Sequence, residues 1–136
     1  LVAAAFAARV AMSDDTVLGL LVAFASGAPY RSPHYAWFDA RYDDFLYVDR
    51  IVVAPAARGA GLGRRFYDDL EARAGGRFAR IACEVNEEPP NPGSLRFHAR
   101  AGFSGVGVLE SEGGAKRVRL MTKPLPAAGP GSTPQP

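Results

Sequence analysis

The stretch from Phe45 to Gly76 constrains this chain more than any other. Phe45–Val53 (FLYVDRIVV) is dense in β-branched and aromatic side chains and reads as a strand. Pro55 lacks a ladder donor and ends it. Next comes Arg58-Gly59-Ala60-Gly61-Leu62-Gly63, then a segment reaching about Ala74. There Leu62, Phe66 and Leu70 fall at i, i+4 and i+8, one apolar stripe of a helix with Arg65, Asp68 and Asp69 on its wet side. Gly75-Gly76 stops that helix. Any fold that joins these pieces puts a helix N-terminus beside a strand end. The first helical N–H groups have no intrahelical partner, and the helix dipole adds positive potential there. Glycine lets an anion approach the backbone closely, and Arg58 and Arg64 add charge. The combination predicts a pyrophosphate site; the alternative is a plain glycine turn between strand and helix.

Two familiar phosphate loops are excluded by the residues. A Walker loop requires Lys-Ser/Thr after its last glycine, and here Gly63 is followed by Arg64-Arg65. A dinucleotide loop requires G-x-G-x-x-G. Counted from Gly59 its last place holds Arg64, and counted from Gly61 it holds Phe66.

The rest of the chain reads as one domain. Its 136 residues suffice for a single core. Phe6–Met12 and Thr16–Phe24 are expected strands around a turn at Ser13-Asp14-Asp15. Gly27–Asp44 is expected as an aromatic-rich connection, and Phe78–Val85 as a strand. Asn91-Pro92 opens a helix that Gly102 ends. Ser104–Leu109 and Lys116–Met121 form a closing hairpin around Gly113-Gly114. The expected domain is 1–123. Residues 124–136, rich in Pro, Ala, Gly and Ser, are expected to be a disordered tail.

A net charge of +2 argues against nucleic-acid binding by bulk electrostatics. Cys83 is the single cysteine, and His34 and His98 lie far apart, so neither a disulfide within the chain nor a metal is expected. No apolar run is long enough to span a membrane, and the opening Leu1–Val10 lacks a basic leader, so a cytoplasmic protein is expected.

A second motif follows the first at a telling distance. Asn91, Ser94, Phe97, His98, Gly102 and Phe103 fit N-x-x-A-x-x-Φ-Y-x-x-x-G-F, with Ser94 in place of Ala and His98 in place of Tyr. Arg58 to Gly63 fits R/Q-x-x-G-x-G/A. With both motifs, the chain resembles the GNAT N-acetyltransferase superfamily, in a less-studied bacterial branch. The resemblance covers about half of the chain strongly and Thr16–Val53 loosely. It implies an α/β fold: a mixed, largely antiparallel twisted sheet flanked by helices. The family's first strand and following helices are expected to be missing before Phe6. It implies acetyl-CoA as acyl donor, with its pyrophosphate on Arg58, Gly59, Ala60, Gly61, Leu62, Gly63 and Arg64. It implies a pantetheine arm along Ile51, Val52 and Val53, where the strand splays from its neighbour, and further contacts at Asn91, Ser94 and Phe97. The acceptor would be a primary amine of a small molecule or peptide; a homodimer is compatible with the resemblance. The expected function is N-acetylation, and the alternative is a non-catalytic acyl-CoA-binding module.

Acetyl transfer requires a base for the amine and benefits from an acid for the thiolate. Asp49, nine residues before Arg58, is the candidate base; it could instead pair with Arg50 or Arg41. His98 is the candidate acid, sharing a helix face with Ser94, Phe97 and Ala101; it could instead satisfy a buried carbonyl. Glu84 and Asn86 either orient a water or the acceptor, or cap a strand end. Cys83 reads as a small core residue rather than an acyl carrier. His34 and Trp37 either wall an acceptor pocket or cover the sheet.

Overall fold

Side chains alternate across a strand, so a strand buried on both faces must feed two cores. The second strand shows this. Leu21 and Ala23 enter one apolar cluster and Phe24 enters another. The computed structural model describes residues 5–29 and 32–127. In it six strands form one sheet: β1 (Ala7–Ser13), β2 (Thr16–Ala25), β3 (Leu46–Val53), β4 (Arg80–Glu88), β5 (Ser104–Ser111) and β6 (Lys116–Pro124), in the order β1-β2-β3-β4-β6-β5. Every pairing is antiparallel except β3 with β4. The expected mixed, largely antiparallel architecture is therefore present.

Helices α2 (Leu62–Ala74) and α3 (Pro92–Arg100) cover one face. Phe66, Tyr67, Leu70 and Ala74 of α2 pack there with Leu46, Val48, Ile81, Cys83 and Val85. Burying a Leu such as Leu70 contributes roughly 1.5–3 kcal/mol. Gly19 of β2 makes the close approach of α2 feasible, since a Cβ there would meet the Val52 carbonyl oxygen at 2.6 Å and the Phe66 ring at 3.1 Å. The opposite face carries a third helix, α1 (Pro33–Asp39), packed through Tyr35 and Phe38 on Phe24, Phe45, Tyr47 and Ala82.

Helix α1 lies within the aromatic-rich connection expected over Gly27–Asp44, where no helix was expected. Its start signal is local: Ser32 Oγ accepts the Tyr35 N–H at 3.0 Å and Pro33 occupies the first turn. Tyr35 and Phe38, at i and i+3, give it one buried edge. β4 begins two residues later than expected and runs on to Glu88. β6 reaches Pro124, and the Leu125 N–H donates to the Ala79 carbonyl, so ordered pairing passes the border expected at residue 123. Residues 128–136 of the expected tail lie outside the described residues. Among the described residues no helix is long and apolar enough to cross a membrane.

The sheet opens at the parallel pair, β3 and β4. β3 and β4 are joined by a crossover through α2, and their register comprises Leu46↔Ile81 and Tyr47↔Ala82. Beyond Tyr47 they part. β3 is also bulged against β2: Ala23 faces Val48 while Val22 faces Arg50, leaving Asp49 as the extra residue. The bulge resets the alternation. Leu46 and Val48 belong to the core under α2, and Ile51, an odd step further on, packs against that same core.

Candidate active site

The parting of β3 from β4 leaves a cleft of about 740 Å³ between the end of β3, the loop before α2, and α3. It gathers Ile51, Val52 and Val53 from the strand, Arg58, Gly59, Gly61, Leu62, Gly63 and Arg64 from the loop and helix start, and Asn91, Ser94 and Phe97 from α3. Of the cofactor contacts implied by sequence, Ala60 alone does not line it.

The loop has the chemistry of an anion cradle. Gly61, the N-cap of α2, sits at φ +82°, and no side chain caps the helix. The first N–H groups of α2 are thus unclaimed by a cap, and no acidic residue occupies its first turn. Gly59 has φ +84°, and a Cβ on Gly59 or Gly61 would meet nothing within 4 Å. Those two glycines serve conformation and access. Gly63 serves packing: a Cβ there would lie 2.9 Å from Phe97 Cζ, so its absence lets α3 close against α2. Arg58 Nε donates to the Val53 carbonyl at 3.3 Å, tying loop to strand, and Arg64 pairs with Asp68 at 3.6 Å on the exposed side of α2. Asn91 Oδ1 accepts the Ser94 N–H at 3.2 Å and caps α3, as its place before Pro92 suggested.

A smaller cleft of about 430 Å³ continues past the parting and is lined by Asp49, Arg50, Glu84, Asn86, Ser94 and His98, among others. His98 lines both clefts. Asp49 is half-buried at the bulge, with Arg50 Nε 3.9 Å away.

His98 is 3% exposed and both ring nitrogens are engaged. Nδ1 lies 2.8 Å from the Ser94 carbonyl, which can only accept, so Nδ1 carries the proton. Nε2 therefore accepts, and the Tyr67 hydroxyl donates to it at 2.7 Å. Burial lowers the pKa of this imidazole, against a smaller upward pull from the Ser94 carbonyl. Burial pushes the Tyr67 hydroxyl well up. Cys83, 3% exposed in the core under α2, is also pushed up, by burial and then by Glu84, and this suits the core role read from sequence.

On the α1 face, Glu84 gathers two partners. The Tyr47 hydroxyl donates to Oε1 at 2.6 Å, and His34 Nδ1 lies 3.3 Å from Oε2. Trp37 is half-buried over Gly107, with the Arg41 guanidinium 3.9 Å above its ring centre, so it covers the sheet. Sequence reasoning passed over Tyr67 and Tyr47. Tyr67 could have been found from its i, i+3, i+7 spacing with Leu70 and Ala74; nothing local marks Tyr47 as a partner of Glu84.

A helix start aimed at a gap between parted parallel strands defines an α/β protein with a cleft inside its sheet that opens onto a helix N-terminus. The chain belongs to the acetyltransferase (GNAT) family, whose profile matches residues 4–103. It is 35% identical over 96 residues to a phosphinothricin N-acetyltransferase of Alcaligenes faecalis, covering 70% of this chain and 45% of that one. It is 32% identical over 107 residues to a phosphinothricin N-acetyltransferase of Streptomyces coelicolor, covering 77% and 57%. The chain thus spans about half the length of these curated relatives. In fold it is similar to Chaetomium thermophilum Naa20, solved in complex with a bisubstrate analogue, with a TM-score of 0.68, 22% identity, and coverage of 87% of this chain and 65% of that one.

Proposed function

We propose that this domain transfers an acetyl group from acetyl-CoA to a primary amine of a small molecule or peptide, in a ternary complex without a covalent enzyme intermediate. The observation that carries the reading is the α2 start: uncapped N–H groups and two positive-φ glycines open onto the cleft between β3 and β4. In this reading the loop from Arg58 to Arg64 holds the pyrophosphate and the open backbone of Ile51 to Val53 takes the amides of the pantetheine arm. Asn91, Ser94 and Phe97 wall the other side. Holding the two reactants in register supplies much of the rate.

Asp49 and Glu84 give the far cleft two acidic side chains that an incoming ammonium would meet. Asp49 keeps its place as a candidate to receive the amine's proton, directly or through water. His98 fits the acid role less well, because Tyr67 would have to leave Nε2 before the ring could face a thiolate. The ring instead fixes the wall where the two clefts meet. That both curated relatives are named N-acetyltransferases favours catalysis over a binding module. A cytoplasmic location and a homodimer belong to the same proposal.

Calorimetry with acetyl-CoA, CoA and ATP tests the cleft; tight acetyl-CoA and CoA binding with none for ATP is expected. Release of free thiol over a panel of amines, phosphinothricin among them, tests the transfer. Failure to bind acetyl-CoA would end the reading.

A further inference from the structure

Three elements bring side chains to one carboxylate on the α1 face, opposite the proposed cofactor side. Glu84 comes from β4, Tyr47 from β3 and His34 from the second residue of α1. Glu84 lines the far cleft, and its two oxygens are divided between Tyr47 and His34. We infer that His34, oriented by Glu84, is the group that takes the acceptor amine's proton, and that Glu84 is its positioning residue. This rests on the acetyl-transfer reading and moves the proton's destination from Asp49 to His34.

Asp49 lines the far cleft and His34 lines neither of the two clefts described, so the case for His34 rests on its pairing with Glu84, which does line the far cleft, and on its exposure. The Glu84 carboxylate lies 3.3 Å from His34 Nδ1 and favours the proton there, which leaves Nε2 with its lone pair. Among the described residues no partner occupies Nε2. Tyr47 anchors the other carboxylate oxygen at 2.6 Å, so Glu84 is not free to turn away. The His34 side chain is 28% exposed, against 3% for the His98 residue, so His34 can meet a soluble acceptor. Chemistry points the same way. An ordinary carboxylate (reference pKa ~4) is poorly matched to an alkylammonium at neutral pH, whereas an imidazole (~6.5) is well placed. Among the described residues, the titratable groups joined to His34 in this cluster are Glu84 on β4 and, beyond it, Tyr47 on β3.

The step balances as follows. R–NH3+ gives one proton to His34 Nε2, and the freed lone pair attacks the thioester carbonyl carbon. The C–N bond forms and the C–S bond breaks. The nitrogen's second proton ends on the departing thiolate as CoA-SH, and His34 returns its own proton to solvent.

The test compares the parent chain with His34→Gln, Glu84→Gln and Asp49→Asn, using acetyl-CoA and the amine with the fastest thiol release in the panel. Far-UV circular dichroism checks the fold. His34→Gln is expected to lower kcat roughly 10²–10⁴-fold and erase its acidic limb, with acetyl-CoA affinity within about twofold of the parent. Glu84→Gln weakens the hold on His34 Nδ1, so kcat should fall, though less than in His34→Gln, while KM for acetyl-CoA stays near the parent's. A purely structural Glu84 would lower stability and leave kcat at the parent's level. A folded His34→Gln variant with the parent's rate and pH profile overturns the inference alone, as does loss of the acidic limb in Asp49→Asn but not in His34→Gln. A parent chain that fails to bind acetyl-CoA, or binds it and acetylates no amine, overturns the acetyl-transfer reading and this inference with it.

Discussion

The two sides of the open sheet are built in opposite ways. On the α2–α3 side the proposed site draws mainly on one continuous stretch, Ile51 to Arg64, where an uncapped helix start and two positive-φ glycines offer backbone groups, together with the first turns of α3. On the α1 side the proposed group is made of side chains, drawn from positions as far apart as His34 and Glu84. A backbone site tolerates changes of side chain so long as the glycines and the helix start persist. A side-chain site depends on each atom's placement, and its parts can be lost one at a time. The first kind suits a ligand that never varies; the second suits one that differs between relatives.

Gly61→Glu should give the largest effect, because it strikes the backbone site at its centre. It forces a non-glycine residue to φ +82° and puts a carboxylate where an anion is proposed to sit. Acetyl-CoA affinity should fall by at least about 100-fold, since the added charge repels the ligand through a low-dielectric cleft. Calorimetry on a variant with native circular dichroism checks this, and unchanged affinity would remove the anion site.

Gly63→Val asks whether the neighbouring glycine works differently. Its Cβ would come within 2.9 Å of the Phe97 ring, so α3 must shift. The expected cost is about 1–3 kcal/mol of stability by urea denaturation, with acetyl-CoA binding weakened as a consequence. A variant as stable as the parent would show that α3 does not rest on that glycine.

His98→Phe tests the junction between the sides. It strips the Tyr67 hydroxyl of its acceptor and should cost about 1–3 kcal/mol, with kcat changed less than tenfold. A stable variant whose kcat fell by 10²-fold or more would return His98 to the acid role expected from sequence.

The smallest effect concerns pH. Because burial lowers the His98 pKa below its unfolded value, the unfolded chain binds more protons in that interval. The stability contribution is therefore whole above about pH 6.5 and is lost as pH falls toward the folded pKa. Chemical denaturation at several values between about pH 5 and 8 should show this slope in the parent and a flatter one in His98→Phe. Equal slopes would mean that His98 is not buried neutral in solution.

Much of the fold was legible because it is local. The strand–glycine–helix order from Phe45 to Gly76, the Asn91-Pro92 cap and the closing hairpin each carry their signal within a few residues. Helix α1 was missed although Ser32-Pro33 marks its start, because its seven residues give too short a period to stand out from an aromatic connection. That the strand end, the glycine loop and the α2 start would line one cleft was foreseeable for the same local reason, although Ala60 does not line it.

The sequence by itself determined that a helix N-terminus rich in glycine would stand at the end of a strongly apolar strand. Backbone geometry and hydrogen-bond supply follow from residue type over short range. Only the tertiary structure decided that β3 leaves β4 after Tyr47, that Asp49 falls on a bulge, and that His98 spends both nitrogens on Ser94 and Tyr67. It alone brought His34 to Glu84, 50 positions apart in the chain. Such meetings depend on strand register and on which face a helix buries, and a shift of one residue in either would send those side chains elsewhere.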